Sequence, residues 1–293
     1  MTSPLLVCCG LATLDVVQRV EAVPGPDEKV VARGLDVTFG GPAANAAATA
    51  AALGVPSVLV TALGSGPVAA LVRDGLTAAG VRVVDLAAGA PGDPPVSSVL
   101  VTEATGQRAV ASTNATLRHG ELTAAAGLAA ADLLDTATAV LVDGHHIDAG
   151  VLVATRAALR GIPVLLDGGS WKPGLEVLLA VTRVAVVSAD FVVPGLEADV
   201  LDAVAGFGPE VVARSAGPGP VRVRLPGGVH DEVAVPAVPP GDVVDTLGAG
   251  DVLHGATGAA LARGADPLDA LRSAVAVAAE SVRHPGALGW ARG

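Results

Sequence analysis

The chain has 293 residues and is 51% hydrophobic, which is enough for one large α/β domain with an ample core. Its formal net charge of −11 argues against nucleic acid or an anionic membrane surface as the main partner, because both require clustered Lys and Arg. Its two cysteines, Cys8 and Cys9, stand side by side in an apolar run whose side chains alternate faces, which excludes a disulfide framework and points to a reducing, cytoplasmic setting.

In chain order, Met1-Thr2-Ser3-Pro4 has no basic stretch of the kind that opens a secretory signal. An apolar strand at 5–9 follows and leads to Gly10-Leu11-Ala12-Thr13-Leu14-Asp15. Residues 13–38 read as strands and hairpins without helix. Gly40-Gly41-Pro42-Ala43-Ala44-Asn45 then opens an Ala-rich helix that Gly54 stops, with Asn45 its one strongly polar side chain. Val37 to Val72 carries no charge, yet Gly54, Pro56, Gly64, Gly66 and Pro67 break it, so a membrane span is not expected.

Strand-like runs at 57–62, 81–84, 139–142, 163–166 and 184–188 alternate with helical stretches at 68–79, 122–131 and 149–160. That alternation predicts βαβ crossovers and an α/β fold with a mainly parallel sheet covered on both faces. The stretch 96–112 breaks the rhythm and reads as strands. Towards the end, 221–225 and 230–235 read as an antiparallel hairpin, and 268–282 as a helix.

The segment Asp245-Thr246-Leu247-Gly248-Ala249-Gly250-Asp251 carries the clearest chemistry. Gly248, Ala249 and Gly250 are nearly without side chains, so their amides can crowd an anion where a helix begins, and the helix dipole favours negative charge there. Asp251, on the first turn, is placed to accept a hydroxyl proton during phosphoryl transfer. Asn45 can both donate to and accept from hydroxyl groups. A tight loop and a helix-capping Asn remain the structural alternatives for each segment alone.

Taken together and in this order, the two segments resemble the paired motifs of the PfkB (ribokinase-like) carbohydrate kinases, over nearly the whole chain. The resemblance implies a three-layer αβα domain spanning 1–293, with a small β-sheet lid built from about 13–38 and 96–112 that often forms a homodimer contact in that family. It implies ATP with Mg2+, and in some members K+ held near Asp245 and Leu247. Asp15, Gly40, Gly41 and Asn45 would form the sugar floor, with Asp251 as general base and Gly248, Ala249 and Gly250 as anion hole. Ser215, Gly217 and Gly219, with Thr246, Gly248 and Gly250, would border the nucleotide, and the loop His284–Ala287 would lie near adenine.

Departures from the pattern bear on the substrate. Pro42 stands where ribokinase-type relatives carry a polar sugar contact, and Ser188-Ala189-Asp190-Phe191 replaces an Asn-x-x-Glu motif, leaving Asp190 or Asp167 to act on a metal only through water. The stretches Val142–His146 and Gly161–Gly168 look closer to ketohexokinase and sulfofructose kinase relatives, which favours a keto-sugar. Lys29, Arg33, Arg108 and Lys172 are candidate contacts to an anionic substituent, although solvated surface charges are the better reading. His145, His146 and Asp148 lack the spacing of a zinc site.

Three other functions compete. A nucleoside kinase would share the cradle and base but stack a nucleobase on aromatic rings, and only 2% of this chain is aromatic, with Phe39 alone near the sugar floor. A non-catalytic sugar-binding protein would have no need of both cradle and base. Gly64-Ser65-Gly66-Pro67-Val68-Ala69, followed by Asp85 about 20 residues on, spells a dinucleotide fingerprint, but a full strand and helix precede it, which is unusual for a dehydrogenase.

Overall fold

The computed structural model describes residues 3–102, 108–113 and 119–292. The apolar runs become strands of one sheet. The N-terminal half contributes β1 (Leu6–Cys9), β2 (Thr13–Val20), β3 (Gly34–Gly40), α1 (Pro42–Ala52), β4 (Ser57–Thr61), α2 (Pro67–Ala78), β5 (Val81–Asp85), β6 (Val96–Thr102) and β7 (Arg108–Ser112). There follow α3 (His119–Leu133), β8 (Ala139–Val142), α4 (Ile147–Leu159), β9 (Val164–Gly168), α5 (Leu175–Leu179), β10 (Val184–Val187) and α6 (Val200–Ala205). β11 (Val211–Ala216), β12 (Gly219–Leu225), β13 (Val229–Val233), α7 (Ala249–Ala262) and α8 (Pro267–Ser281) complete the chain. The short helices α5 and α6 were not foreseen, because five or six residues give too little periodicity to read.

Nine strands lie in the order β13-β12-β11-β10-β9-β8-β1-β4-β5. The ladder from β5 to β11 is parallel, and β12 and β13 add an antiparallel edge. Every residue of β1, β8 and β10 is buried, as expected of parallel strands covered on both faces. Alternation sends Leu6 and Cys8 into the layer packed on α1, α7 and α8, and Val7 and Cys9 into the layer under α3 to α6. Both cysteines are free and buried, the small core residues that the sequence suggested.

A second sheet, ordered β3-β2-β6-β7, draws its strands from Thr13–Val20, Gly34–Gly40 and most of 96–112, in the stretches 13–38 and 96–112 that broke the helical rhythm. Residues 103–107, part of that second stretch, lie outside the described residues. β2 pairs antiparallel with β3 and parallel with β6.

The chain leaves β1 toward β4 and β5, then returns to lay β8 on the other side of β1. That reversal opens a crevice at the C-terminal ends of β1 and β8, where doubly wound folds hold their ligands. Asp143 fills its floor. This 2%-exposed carboxylate accepts the amides of Leu11 at 2.8 Å, Ala43 at 3.2 Å and His145 at 2.8 Å, so one side chain ties the loop after β1, the start of α1 and the loop after β8. Small residues then bring α1 and α7 into close contact: a Cβ on Gly255 would stand 2.5 Å from the Ala46 carbonyl oxygen.

Candidate active site

The close approach of α1 and α7 joins the two sequence motifs. Asn45 Nδ2 donates to Asp251 Oδ2 at 2.7 Å, on the wall of a cavity of about 510 Å3. Asp15, Gly41, Asn45, Gly248 and Asp251 all line it, as do Thr13, Ser97 and Ser112 from the second sheet. Gly41 begins α1 at φ +95, a conformation that favours glycine, and its missing side chain leaves room for the Leu11 carbonyl. Gly40 leaves room for Asp15: a Cβ there would stand 2.0 Å from Asp15 Oδ2.

The N-terminus of α7 fits an anion. Gly248 caps it at φ +77 with no side chain satisfying the first-turn amides, and a Cβ on Gly250 would meet only open space. Asp251 sits on that first turn. Burial, the largest cause, pushes its pKa up to about 7; Asp167 and Asp143 push the same way, while Asn45 and His254 pull it back. A carboxyl poised there can take a proton near neutral pH. Asp15 accepts a 2.6 Å hydrogen bond from Thr13 Oγ1; burial raises its pKa, against the pull of the Thr13 and Ser97 hydroxyls.

Other expected residues fall elsewhere. Ser215, Gly217 and Gly219 form the tight turn from β11 into β12 and do not line the cavity; Ser215 Oγ reaches the Val187 carbonyl at 3.5 Å. Thr246 accepts a 3.3 Å hydrogen bond from Arg108 on β7, which links the second sheet to the segment before α7. Asp245 accepts the amides of Leu247 at 2.8 Å and Gly286 at 2.9 Å. That second bond ties the loop to Asp245, and Pro285, Gly286 and Ala287 line the same cavity as Asp15 and Asn45.

Of the cations singled out as anion contacts, none lines the cavity: Arg33 pairs with Glu21 at 2.8 Å and Lys172 Nζ meets the Ser170 carbonyl at 3.4 Å. The dinucleotide reading fails at Asp85, which accepts the amides of Leu63, Gly64 and Ala87 and pairs with Arg73 at 2.8 Å, so its carboxylate holds a loop. Asp167 is 5% exposed, with Oδ2 3.1 Å from His254 Nδ1 on α7. Sequence reasoning missed Asp143 and His254. The signal for His254 was a lone imidazole three residues after Asp251 on an otherwise apolar helix.

A phosphate-sized cradle at a helix N-terminus beside an acid that titrates near neutrality, at the switch point of a doubly wound sheet, defines a kinase of small hydroxylated molecules. The chain belongs to the pfkB family of carbohydrate kinases, whose model matches residues 3–290. Its fold is shared with an Arabidopsis thaliana ribokinase solved with ribose and ATP, at 21% identity and a TM-score of 0.75 over 99% of each chain. It is shared with an Anopheles gambiae adenosine kinase solved with a di-adenosine tetraphosphate, at 21% identity and a TM-score of 0.79 over 98% of this chain and 97% of that one. A microbiome-derived acarbose kinase is similar at 21% identity and a TM-score of 0.79, over 97% and 93%. No helix among the described residues is long and apolar enough to cross a membrane.

Proposed function

We propose that this protein transfers the γ-phosphoryl group of ATP to a hydroxyl of an uncharged sugar, with Asp251 as general base and the amides of Gly248, Ala249 and Gly250 as anion hole. The observation that carries this reading is the Asn45–Asp251 hydrogen bond, which puts a hydroxyl-recognising amide and a base on one wall of one cavity. Asp15, Asn45 and the backbone at Gly40 and Gly41 orient the sugar. As the sugar oxygen bonds to the γ-phosphorus, its proton passes to Asp251, and the bridging oxygen leaves with ADP carrying the electron pair of the broken P–O bond.

Among the described residues no group of three Asp, Glu, His or Cys side chains could hold a metal ion, and no step is assigned to a protein-bound metal; a Mg2+ would enter with the phosphates of ATP. The oxygens of Asp245 each accept one amide and keep a free lone pair for the monovalent cation that the resemblance expects. Running the assay in potassium and in choline chloride measures whether that cation speeds turnover.

Charge supports a neutral substrate. Among the described residues the cavity is lined by Asp15, Asp36, Asp245 and Asp251 against one cation, Arg19, which already pairs with Asp36 at 3.3 Å. A sugar phosphate or sulfonate would meet net repulsion there. Among neutral sugars a keto-sugar such as fructose is the first candidate, on the strength of the resemblance at Val142–His146. A nucleoside is the second reading, favoured by the adenosine kinase fold neighbour and opposed by a lining whose one aromatic side chain among the described residues is Phe39.

The second sheet is read as the lid, excluding water that would compete as acceptor. Its exposed Leu35, Val37 and Val110 support a homodimer contact there, which sedimentation measures. The test of the reading is ATP consumption across a panel of neutral keto- and aldo-sugars, sugar phosphates and nucleosides. Turnover is expected with a neutral sugar, and turnover confined to nucleosides or to sugar phosphates overturns it.

A further inference from the structure

The cavity that holds Asn45 and Asp251 continues along the second sheet, past the sugar floor at Asp15. Alternate residues of β2 line it, in the series Thr13, Asp15, Val17 and Arg19, as the two-residue repeat of a strand requires. The register widens that face: Thr38 on β3 and Ser97 on β6 stand opposite Asp15, and Asp36 stands opposite Val17. From Asp15 to Arg19 the strand covers about 13 Å. A single hexose spans about 7 Å on bonds of about 1.5 Å. One ring seated between Asp15 and Asp251 therefore leaves the Val17–Arg19 end of the cavity unfilled.

That far end has its own chemistry. Val17, 7% exposed, gives it an apolar floor. Beside this floor Arg19 Nη2 donates to Asp36 Oδ2 at 3.3 Å, a single contact that leaves the other guanidinium N–H groups and the second carboxylate oxygen without a partner among the described residues. Donors, acceptors and an apolar floor together match a second sugar ring, whose hydroxyls both donate and accept around a C–H face. A nucleobase would want an aromatic face, and Phe39 is turned onto α2, where a Cβ on Gly75 would stand 3.0 Å from its ring. An anionic unit would compete with Asp36 for Arg19, with no second cation among the described lining residues to hold it.

We propose that the substrate is a neutral disaccharide, with the ring to be phosphorylated between Asp15 and Asp251 and the second ring on Val17, its hydroxyls bonded to Arg19 and Asp36 as specificity-determining residues. The proposal rests on Asp15 and Asp251 being sugar floor and base. The transfer to one hydroxyl is unchanged and the glycosidic bond stays intact, so the product is a disaccharide phosphate and ADP.

ATP consumption by the full-length enzyme tests this with glucose, fructose and galactose beside sucrose, turanose, maltose, lactose and trehalose. At least one disaccharide is expected to exceed both of its component sugars in kcat/KM by about tenfold or more, and disaccharides at or below their components overturn the proposal. Arg19→Ala and Asp36→Ala are each expected to lower kcat/KM for that disaccharide about tenfold more than for its better component, through KM, with the ATP KM within about twofold. Equal losses on the two sugars overturn the assignment of these side chains. Calorimetric titration of the same sugars in the presence of ADP reads binding without turnover. A disaccharide bound about tenfold tighter than its components by an enzyme that phosphorylates none of them would keep the two-ring site and reject the kinase reading. Components that bind as tightly as the disaccharides, with turnover intact, would reject the two-ring site and keep the kinase.

Discussion

Asn45 and Asp251, 206 positions apart, meet through a 2.7 Å hydrogen bond from amide to carboxylate. The bond favours the ionised form of the acid, because an amide N–H stabilises a charged acceptor more than a neutral one. Asn45→Ala should therefore shift the acid limb of the kcat profile upward by roughly half a pH unit, the worth of about one hydrogen bond. The variant loses more activity at pH 6 than at pH 9. Parallel profiles in the two proteins would show that the bond does not tune the base.

Because Asp251 titrates at about 7, kcat/KM should rise about tenfold per pH unit below 7 and level off above it. Stability runs the other way. The folded state holds this proton more tightly than an unfolded carboxyl of 3.8, so its contribution is complete below that value and is lost as pH rises toward 7. At pH 8 the buried anion is a liability. Asp251→Asn should raise Tm by several degrees at pH 8, about 2 kcal/mol after allowing for water in the cavity, and by less at pH 5. A gain that is equal at both pH values would contradict the shift.

Gly40 leaves the space that the Asp15 carboxylate occupies. Gly40→Ala should push Asp15 off the sugar floor, raising the sugar KM about tenfold while kcat and the ATP KM stay within about threefold. An unaltered sugar KM would remove Asp15 from substrate binding.

Asp143 accepts three backbone amides and is nearly inaccessible. Truncation strands those amides, so Asp143→Ala should cost about 3 kcal/mol in denaturant unfolding. A loss below about 1 kcal/mol would mean that the loops hold themselves.

The strands and long helices could be read from the sequence because fully buried parallel strands are continuous apolar runs and their crossover helices repeat at helical length. Gly41 and Gly248 were readable because each takes a positive φ at a helix start. Asp143 and His254 were not, since their partners are backbone groups and side chains from other elements, and no local spacing marks such contacts. That the loop Pro285–Ala287 lines the cavity could not be read for the same reason: the Asp245–Gly286 bond that ties it there spans 41 positions.

The account rests most heavily on the proton acceptor. Sugar-dependent ATP turnover by Asp251→Asn, with nucleotide affinity measured on the same preparation, tests it directly. The expected result is a loss of about a thousandfold in kcat with ATP affinity within a few-fold. A variant that turns over within tenfold of wild type would contradict it.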